Sequence, residues 1–274
     1  MSTETSSRNI AAESITNWTL APIAHGGWGE VFKASYNDAV VAVKQPFRGH
    51  SDAELVEFRK EIAIWRRLNH RHVLPLFGAC DNNSKHCIVS PFMPNGTLHD
   101  YVRDPANIRP LEEKLCLLRQ VALGMAYLHS NNVVHGDLKP MNVLLDASFS
   151  AVISDFGLSH IWTDSAQTNN QQGVSVCGTP GFMAPELLGS NHEAQTTKRS
   201  DVFAFAITIL TVLNNAATPW VLSSQSMGGY TVCNYVLEGG RPSRFEGIPD
   251  DVWQLVSDCW KQDPNDRPEF PSIV

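Results

Sequence analysis

His135-Gly136-Asp137-Leu138-Lys139-Pro140-Met141-Asn142, followed after an apolar run by Asp155-Phe156-Gly157, is the stretch on which the fold of this 274-residue chain turns. The first eight residues follow a helical pattern and precede Val143-Leu144-Leu145, so they read as a loop between a helix and a strand. That loop holds a carboxylate able to accept a hydroxyl proton (Asp137), an ammonium (Lys139) and an amide able to hold a metal (Asn142). Asp155 lies 18 residues beyond Asp137 and closes the strand-like run Ala151–Ser154. Asp-Phe-Gly alone is a common turn, but coincidence explains poorly its pairing with this loop at this distance.

Upstream, Ile23-Ala24-His25-Gly26-Gly27-Trp28-Gly29-Glu30-Val31 is a glycine-dense turn between strand signals. Glycines such as Gly26, Gly27 and Gly29 let backbone N–H groups close over phosphate oxygens, although such a hairpin by itself is only a turn. Lys44 ends the strand-like Val40-Val41-Ala42-Val43-Lys44, after an Asn37-Asp38 turn. Ser51 to Asn69 reads as a helix, with Ser51 as cap, Glu54 three residues on, and Leu55, Phe58, Ile62 and Trp65 at spacings of three and four. Glu61 sits on the flank of that stripe. Taken singly, Lys44 and Glu61 are ordinary surface residues; together they offer a cation held by a carboxylate. Strand-like Val73–Gly78 and His86–Ser90 follow, and after Pro91 long helices take over, notably Leu111–Ser130 and Val202–Leu213. A strand-rich first third before a helical remainder implies an α+β, bilobal architecture: a polar flexible tail over 1–17, a small lobe over about 18–90, a hinge at 91–95 and a large lobe over 96–274.

Composition narrows the function classes. Hydrophobic content is 43% and charged content 18%, as in a folded globular protein, and the net charge of −7 argues against general nucleic-acid binding. The surplus is uneven, with 10 Lys/Arg against 9 Asp/Glu in residues 1–93 and 11 against 19 beyond, which suits a basic partner or a solvated surface. The six cysteines show no C-x-x-C spacing, so a zinc or redox motif is unsupported. Phe203–Leu213 is too short to span a bilayer, and neither a signal peptide nor myristoylation is expected from the first residues. The expected location is intracellular, in the cytoplasm.

From about Trp18 to Ile273 the chain resembles the eukaryotic protein kinase family. The resemblance rests on the glycine-rich loop, V-A-V-K, a helical Glu, H-x-D-x-K-x-x-N, D-F-G and Ala184-Pro185-Glu186, in the family's order. Ser200-Asp201-Val202-Phe203 is similar to the family's buried central helix, and Asp263 to Pro268 to the segment whose Arg pairs with the A-P-E glutamate, here Glu186. Pro94-Asn95-Gly96-Thr97-Leu98 and Gly178 to Glu186 resemble the tyrosine-kinase-like serine/threonine group, which includes RAF and plant receptor-like kinases.

The resemblance implies transfer of the γ-phosphoryl group of ATP, with Mg2+ or alternatively Mn2+, to a protein serine or threonine in intracellular signalling. It implies that Lys44 contacts the α/β-phosphates and Glu61 fixes Lys44, that Asp155 and Asn142 ligate the metal, that Asp137 accepts the substrate proton, and that Lys139 neutralises the moving phosphoryl group. By the same resemblance, Thr179 is expected to bond near Asp137 and shape the substrate floor, and Ile23, Gly26, Gly27 and Gly29 to line the phosphate loop. It further implies that Val31, Ala42 and Leu144 sandwich adenine, that hinge backbone at Pro91 and Met93 meets its edge, and that Ser90 guards a pocket behind it. Trp65, Leu76, His135 and Phe156 are expected to stack across the lobes.

Three departures accompany it. Ala24 replaces the first loop glycine. Gly136 replaces the arginine that receives an activation-segment phosphate, so control by Thr163, Ser165, Thr168 or Ser175 is expected to be weak, with a regulatory protein partner acting through flanking regions; Lys198 or Arg199 is the candidate substitute cation. The chain stops at Pro271-Ser272-Ile273-Val274, where a final helix normally begins, which reads as trimming or truncation. The alternatives are a pseudokinase acting as an ATP-binding scaffold, a dual-specificity or tyrosine kinase, and a small-molecule kinase. The first predicts loss of Lys44, Asp137, Asn142 or Asp155, and the last lacks A-P-E; all of these are present.

Overall fold

In the computed structural model, Gly29–Tyr36 and Ala39–Pro46 form a hairpin around Asn37 and Asp38, whose φ values of 48° and 61° are the left-handed pair such a two-residue turn requires. The structure describes residues 9–26, 29–46, 52–82, 85–156, 160–161, 178–189, 194–222 and 225–274. The hairpin strands are β3 and β4, preceded by β1 (Ile15–Thr16) and β2 (Ala24–Gly26). With β5 (Gly78–Asn82) and β6 (Lys85–Pro91) they make one antiparallel sheet ordered β1-β3-β4-β6-β5, with β2 also on β3. Helix α1 (Asp52–Trp65) buries Phe58, Ile62 and Trp65 as its periodicity requires, but it ends four residues short of the expected Asn69. The proposed cap Ser51 lies outside the described residues.

Two expectations fail in this lobe. Val73–Phe77 is not a strand: Val73 makes an isolated bridge to Ile153, and the strand β5 begins only at Gly78. The polar stretch expected to be a tail up to residue 17 is ordered and packed from Asn9 onward. The Ile10 amide donates to the Ala79 carbonyl at 2.9 Å on the β5 edge, while Ile15 and Thr16 pair with Tyr36 and Ser35 at the opposite edge. Between these anchors Ile10, Ala12 and Ile15 are buried in a second apolar cluster with Val41, Val43, Cys80, Cys87 and Val89. Three apolar side chains in a polar stretch suffice because they cover a sheet face that otherwise meets water.

The larger lobe is built from α2 (Leu98–Arg103), α3 (Leu111–Ser130), α4 (Lys198–Leu213), α5 (Gly229–Leu237), α6 (Asp250–Cys259) and α7 (Phe270–Ile273). Short pairs β7 (Val133–Val134) with β10 (His160–Ile161), β8 (Val143–Leu145) with β9 (Ala151–Ile153), and β11 (Val221–Leu222) with β12 (Gln225–Ser226) complete it. Helix α4 starts at a reciprocal Thr197–Ser200 capping box and is buried continuously from Ser200 to Leu213, which explains why Val202–Leu213 is apolar at every position but Thr208 and Thr211. The lobes are stitched by backbone: Leu74 donates to Ile153 and Ile153 to His72, at 2.8 and 3.0 Å. Among the described residues no helix is long and apolar enough to cross a membrane.

Candidate active site

The site lies where the sheet of the small lobe faces the α3–β8–β9 region. Lys44 projects from β4, and its Nζ donates to Glu61 Oε1 at 2.9 Å and to Asp155 Oδ1 at 3.1 Å. Glu61, read singly as surface, is 4% exposed. Burial opposes ionisation here, but at Lys44 the two carboxylates outweigh it and hold the ammonium well above the usual lysine range. At Asp155 burial is likewise outweighed by Lys44, and the carboxyl sits below the ordinary range. Asp155 adopts φ 64°, a left-handed conformation that costs a non-glycine residue free energy and turns its carboxylate out of the strand line.

The catalytic-loop candidates converge from the other side. Asp137 Oδ1 accepts from Thr179 Oγ1 at 2.8 Å and from the Thr179 amide at 3.2 Å. Its Oδ2 accepts from Lys139 Nζ at 2.6 Å and Asn142 Nδ2 at 3.0 Å. Lys139 Nζ also donates to Thr179 Oγ1 at 2.6 Å. Asn142 Nδ2 makes a second bond to the Asp137 carbonyl at 2.8 Å, so both amide protons face that residue and the amide oxygen is left as an acceptor.

Asp201, to which the sequence reading assigned no task, holds this loop from beneath. It is 1% exposed and accepts from the His135 amide at 2.9 Å, the Gly136 amide at 2.9 Å and His129 Nε2 at 2.8 Å. Burial would raise its pKa, but His129 and the loop amide outweigh that and hold it below the ordinary carboxylate range. The signal was available, since a carboxylate heading a helix as apolar as Val202–Leu213 must be bonded. Gly136 sits at φ 84°, where a side chain is disfavoured. Lys198 and Arg199, the candidate substitute cations, bond instead to Asn132 and to Glu269.

Of the residues expected to line a nucleotide pocket, Ser90 is 6% exposed and pairs across the ladder with Ala42, and Val31 pairs with Lys44. Pro91 ends β6 opposite Val41, Leu144 and Met93 are half-buried against the main core, and Ile23 is exposed. Gly26 and Gly29 pair across the β2–β3 turn, whereas Gly27 and Trp28 fall outside the described residues. Gly29 is required for packing, because a Cβ there would meet the Gln45 carbonyl oxygen at 1.8 Å. Ala24 is extended in β2, where a methyl costs nothing. Trp65 and His135 flank Phe156 with ring centroids at 5.3 and 5.9 Å, and Leu76 packs on the same core.

A metal fits this donor set. Among the described residues no group of three or more His, Cys, Asp or Glu could cage an ion. Asp155 and Asn142 supply two oxygens, which suits a hard divalent cation that keeps water and phosphate oxygens as its other ligands.

Comparison with known proteins agrees with this geometry. The chain is 32% identical over 261 residues to the putative serine/threonine-protein kinase/receptor R831 of Acanthamoeba polyphaga mimivirus, covering 92% of this chain and 15% of that protein. It is 32% identical over 253 residues to serine/threonine-protein kinase STY17 of Arabidopsis thaliana, covering 92% and 42%. It is 31% identical over 257 residues to the probable serine/threonine-protein kinase drkD of Dictyostelium discoideum, covering 93% and 19%. The chain thus spans less than half the length of these relatives. A family model, protein tyrosine and serine/threonine kinase, matches residues 19–274, a family that in general uses ATP and a divalent metal. That match runs through both lobes and the cleft between them, and the chain belongs to the protein tyrosine and serine/threonine kinase family.

Proposed function

We propose that this chain is an active protein kinase domain that transfers the γ-phosphoryl group of ATP to serine and threonine hydroxyls of proteins. The observation that carries the reading is the closure of two ion networks on one cleft, Lys44–Glu61–Asp155 from above and Lys139–Asp137–Thr179 from below. Phosphoryl transfer asks the protein mainly for positioning and charge neutralisation. Lys44, held charged by two carboxylates, orients the α/β-phosphates. Asp155 and Asn142 hold Mg2+, or Mn2+ in its place, which when bound neutralises phosphate charge.

Asp137 presents an unusual accounting of lone pairs. Its two oxygens already accept four hydrogen bonds, so a substrate hydroxyl enters only when one donor leaves. Lys139 is the donor that has reason to leave, because the transferring phosphoryl group draws its ammonium. The freed Oδ2 then orients the hydroxyl and accepts its proton. Thr179, bonded to both residues, keeps the pair in register. The location we propose is the cytoplasm, with a regulatory protein partner engaging the flanking regions.

The test is transfer of labelled γ-phosphate to generic protein substrates, with phosphoamino-acid analysis of the product. Asp137→Asn should lower turnover by about 10²–10⁴-fold, with phosphoserine and phosphothreonine dominating the wild-type product. Undiminished turnover in Asp137→Asn, or mainly phosphotyrosine, overturns the reading.

A further inference from the structure

Glu61 reaches Lys44 only while α1 keeps its rotation about its own axis. Residues two apart on a helix point about 200° from one another, so Arg59 faces away from the cleft when Glu61 faces into it. On that outer side Arg59 forks onto Asp81, with Nε to Oδ2 at 2.8 Å and Nη2 to Oδ1 at 3.2 Å. Asp81 is itself held across the β5–β6 ladder: it pairs with His86, whose Nδ1 lies 2.9 Å from Asp81 Oδ1. The neighbouring α1 residue, buried Phe58, meets the same His86 ring edge-on, with centroids 6.0 Å apart. Two consecutive side chains of α1, Phe58 and Arg59, therefore rest on one cross-strand pair, within a single turn before Glu61. A second, weaker tie lies one helical end further on, where Arg66 Nη2 donates to Asn9 Oδ1 at 3.3 Å, beside the Ile10–Ala79 anchor on β5. The Arg59 guanidinium holds the Asp81 carboxyl below the ordinary range, with burial opposing and His86 assisting, so the fork is ionised at neutral pH.

We propose that Asp81 is a positioning residue for phosphoryl transfer, acting through Arg59 to hold α1 in the rotation that keeps Glu61 on Lys44. The proposal rests on the kinase reading above and adds to it a contact outside the cleft that sets the geometry within it. The fork is a lever. Any rotation that loosens it carries Glu61 off the Lys44 ammonium, and the Phe58–His86 contact resists the same motion.

The experiment compares Asp81→Asn, Asp81→Glu, Arg59→Gln and the Asp81→Asn/Arg59→Gln double variant with wild type. It follows kcat, KM for ATP, and trace acetylation of Lys44 by acetic anhydride read by mass spectrometry. A surface-side fork is worth a fraction of a kcal/mol to about 1 kcal/mol, so kcat should fall about two- to fivefold in Asp81→Asn and Arg59→Gln. KM for ATP should change less than kcat. The double variant should be no worse than the poorer single, because both remove one interaction. Asp81→Glu should restore most of kcat. Lys44 should acetylate faster in the impaired variants by a comparable factor, since an ammonium deprived of Glu61 gives up its proton more readily. Wild-type kcat and wild-type Lys44 labelling in Asp81→Asn overturn the proposal, as do single effects that multiply in the double variant. Absence of phosphotransfer in the wild type would instead strike the kinase reading, and the Lys44 labelling would still decide the lever.

Discussion

Arg267 grips Glu186 with both terminal guanidinium nitrogens, Nη1 to Oε1 at 2.7 Å and Nη2 to Oε2 at 2.8 Å, across 81 residues of sequence. Arg267 is 2% exposed and spends its remaining donors on the carbonyls of Lys261, Arg199 and Gln262. The segment that carries Thr179 is thereby fastened to the base of the large lobe. Glu186→Gln leaves a buried guanidinium without its counter-charge, which costs about 3 kcal/mol or more. The melting temperature should drop by roughly 6–12 °C for a domain of this size. Calorimetry showing a shift under 2 °C would mean the fork is incidental.

Asp201 links stability to pH with a definite sign. Its folded pKa lies below the ordinary carboxylate value, so its contribution is complete above that value, about 4, and is lost as pH falls through the folded pKa. Asp201→Asn has one acceptor oxygen for three donors and should lose about 1–3 kcal/mol at pH 7. The gap between the two proteins should narrow below about pH 4, where the wild-type carboxylate titrates. Parallel melting curves from pH 3 to pH 7 would contradict the assigned role.

Ser90 tests the nucleotide pocket. It is buried at the end of β6 opposite Ala42, and its small side chain should admit ATP analogues and inhibitors with bulky N6 substituents. Ser90→Phe should exclude them and spare ATP use, at an overpacking cost of about 1–3 kcal/mol in stability. Equal inhibition of both forms would place Ser90 away from that pocket.

Control by the activation segment should be weak. Thr163, Ser165, Thr168 and Ser175 lie outside the described residues, but the loop they would act on is described. Gly136 offers no cation, Lys198 and Arg199 are bonded elsewhere, and Asp201 already holds the loop amides. The fourfold alanine variant should keep turnover within about threefold of autophosphorylated wild type, far below the effect of an ordering phosphate paired to arginine. A large drop in both the variant and phosphatase-treated wild type would show that a phosphate does organise the segment.

Much of the site was legible in sequence because its chemistry is local. Asp137, Lys139 and Asn142 share one loop, Lys44 ends one strand, and each residue type carries its reactivity wherever the chain is folded. The bounds of α3, Leu111–Ser130, were readable for the same reason, since helical periodicity is a nearest-turn property. What the tertiary structure alone decided were relationships between distant segments. Lys44 and Asp155 meet across 111 residues, and nothing local in either announces the other. Gly29 is glycine because Gln45 passes behind it, where a Cβ would meet its carbonyl oxygen. Asn9–Thr16 reads as tail by composition, yet it closes the sheet face because three apolar side chains find a complementary surface supplied by β4, β5 and β6. Burial of that kind depends on the shape of the surface already formed, which is a property of the folded whole and not of any window of the chain.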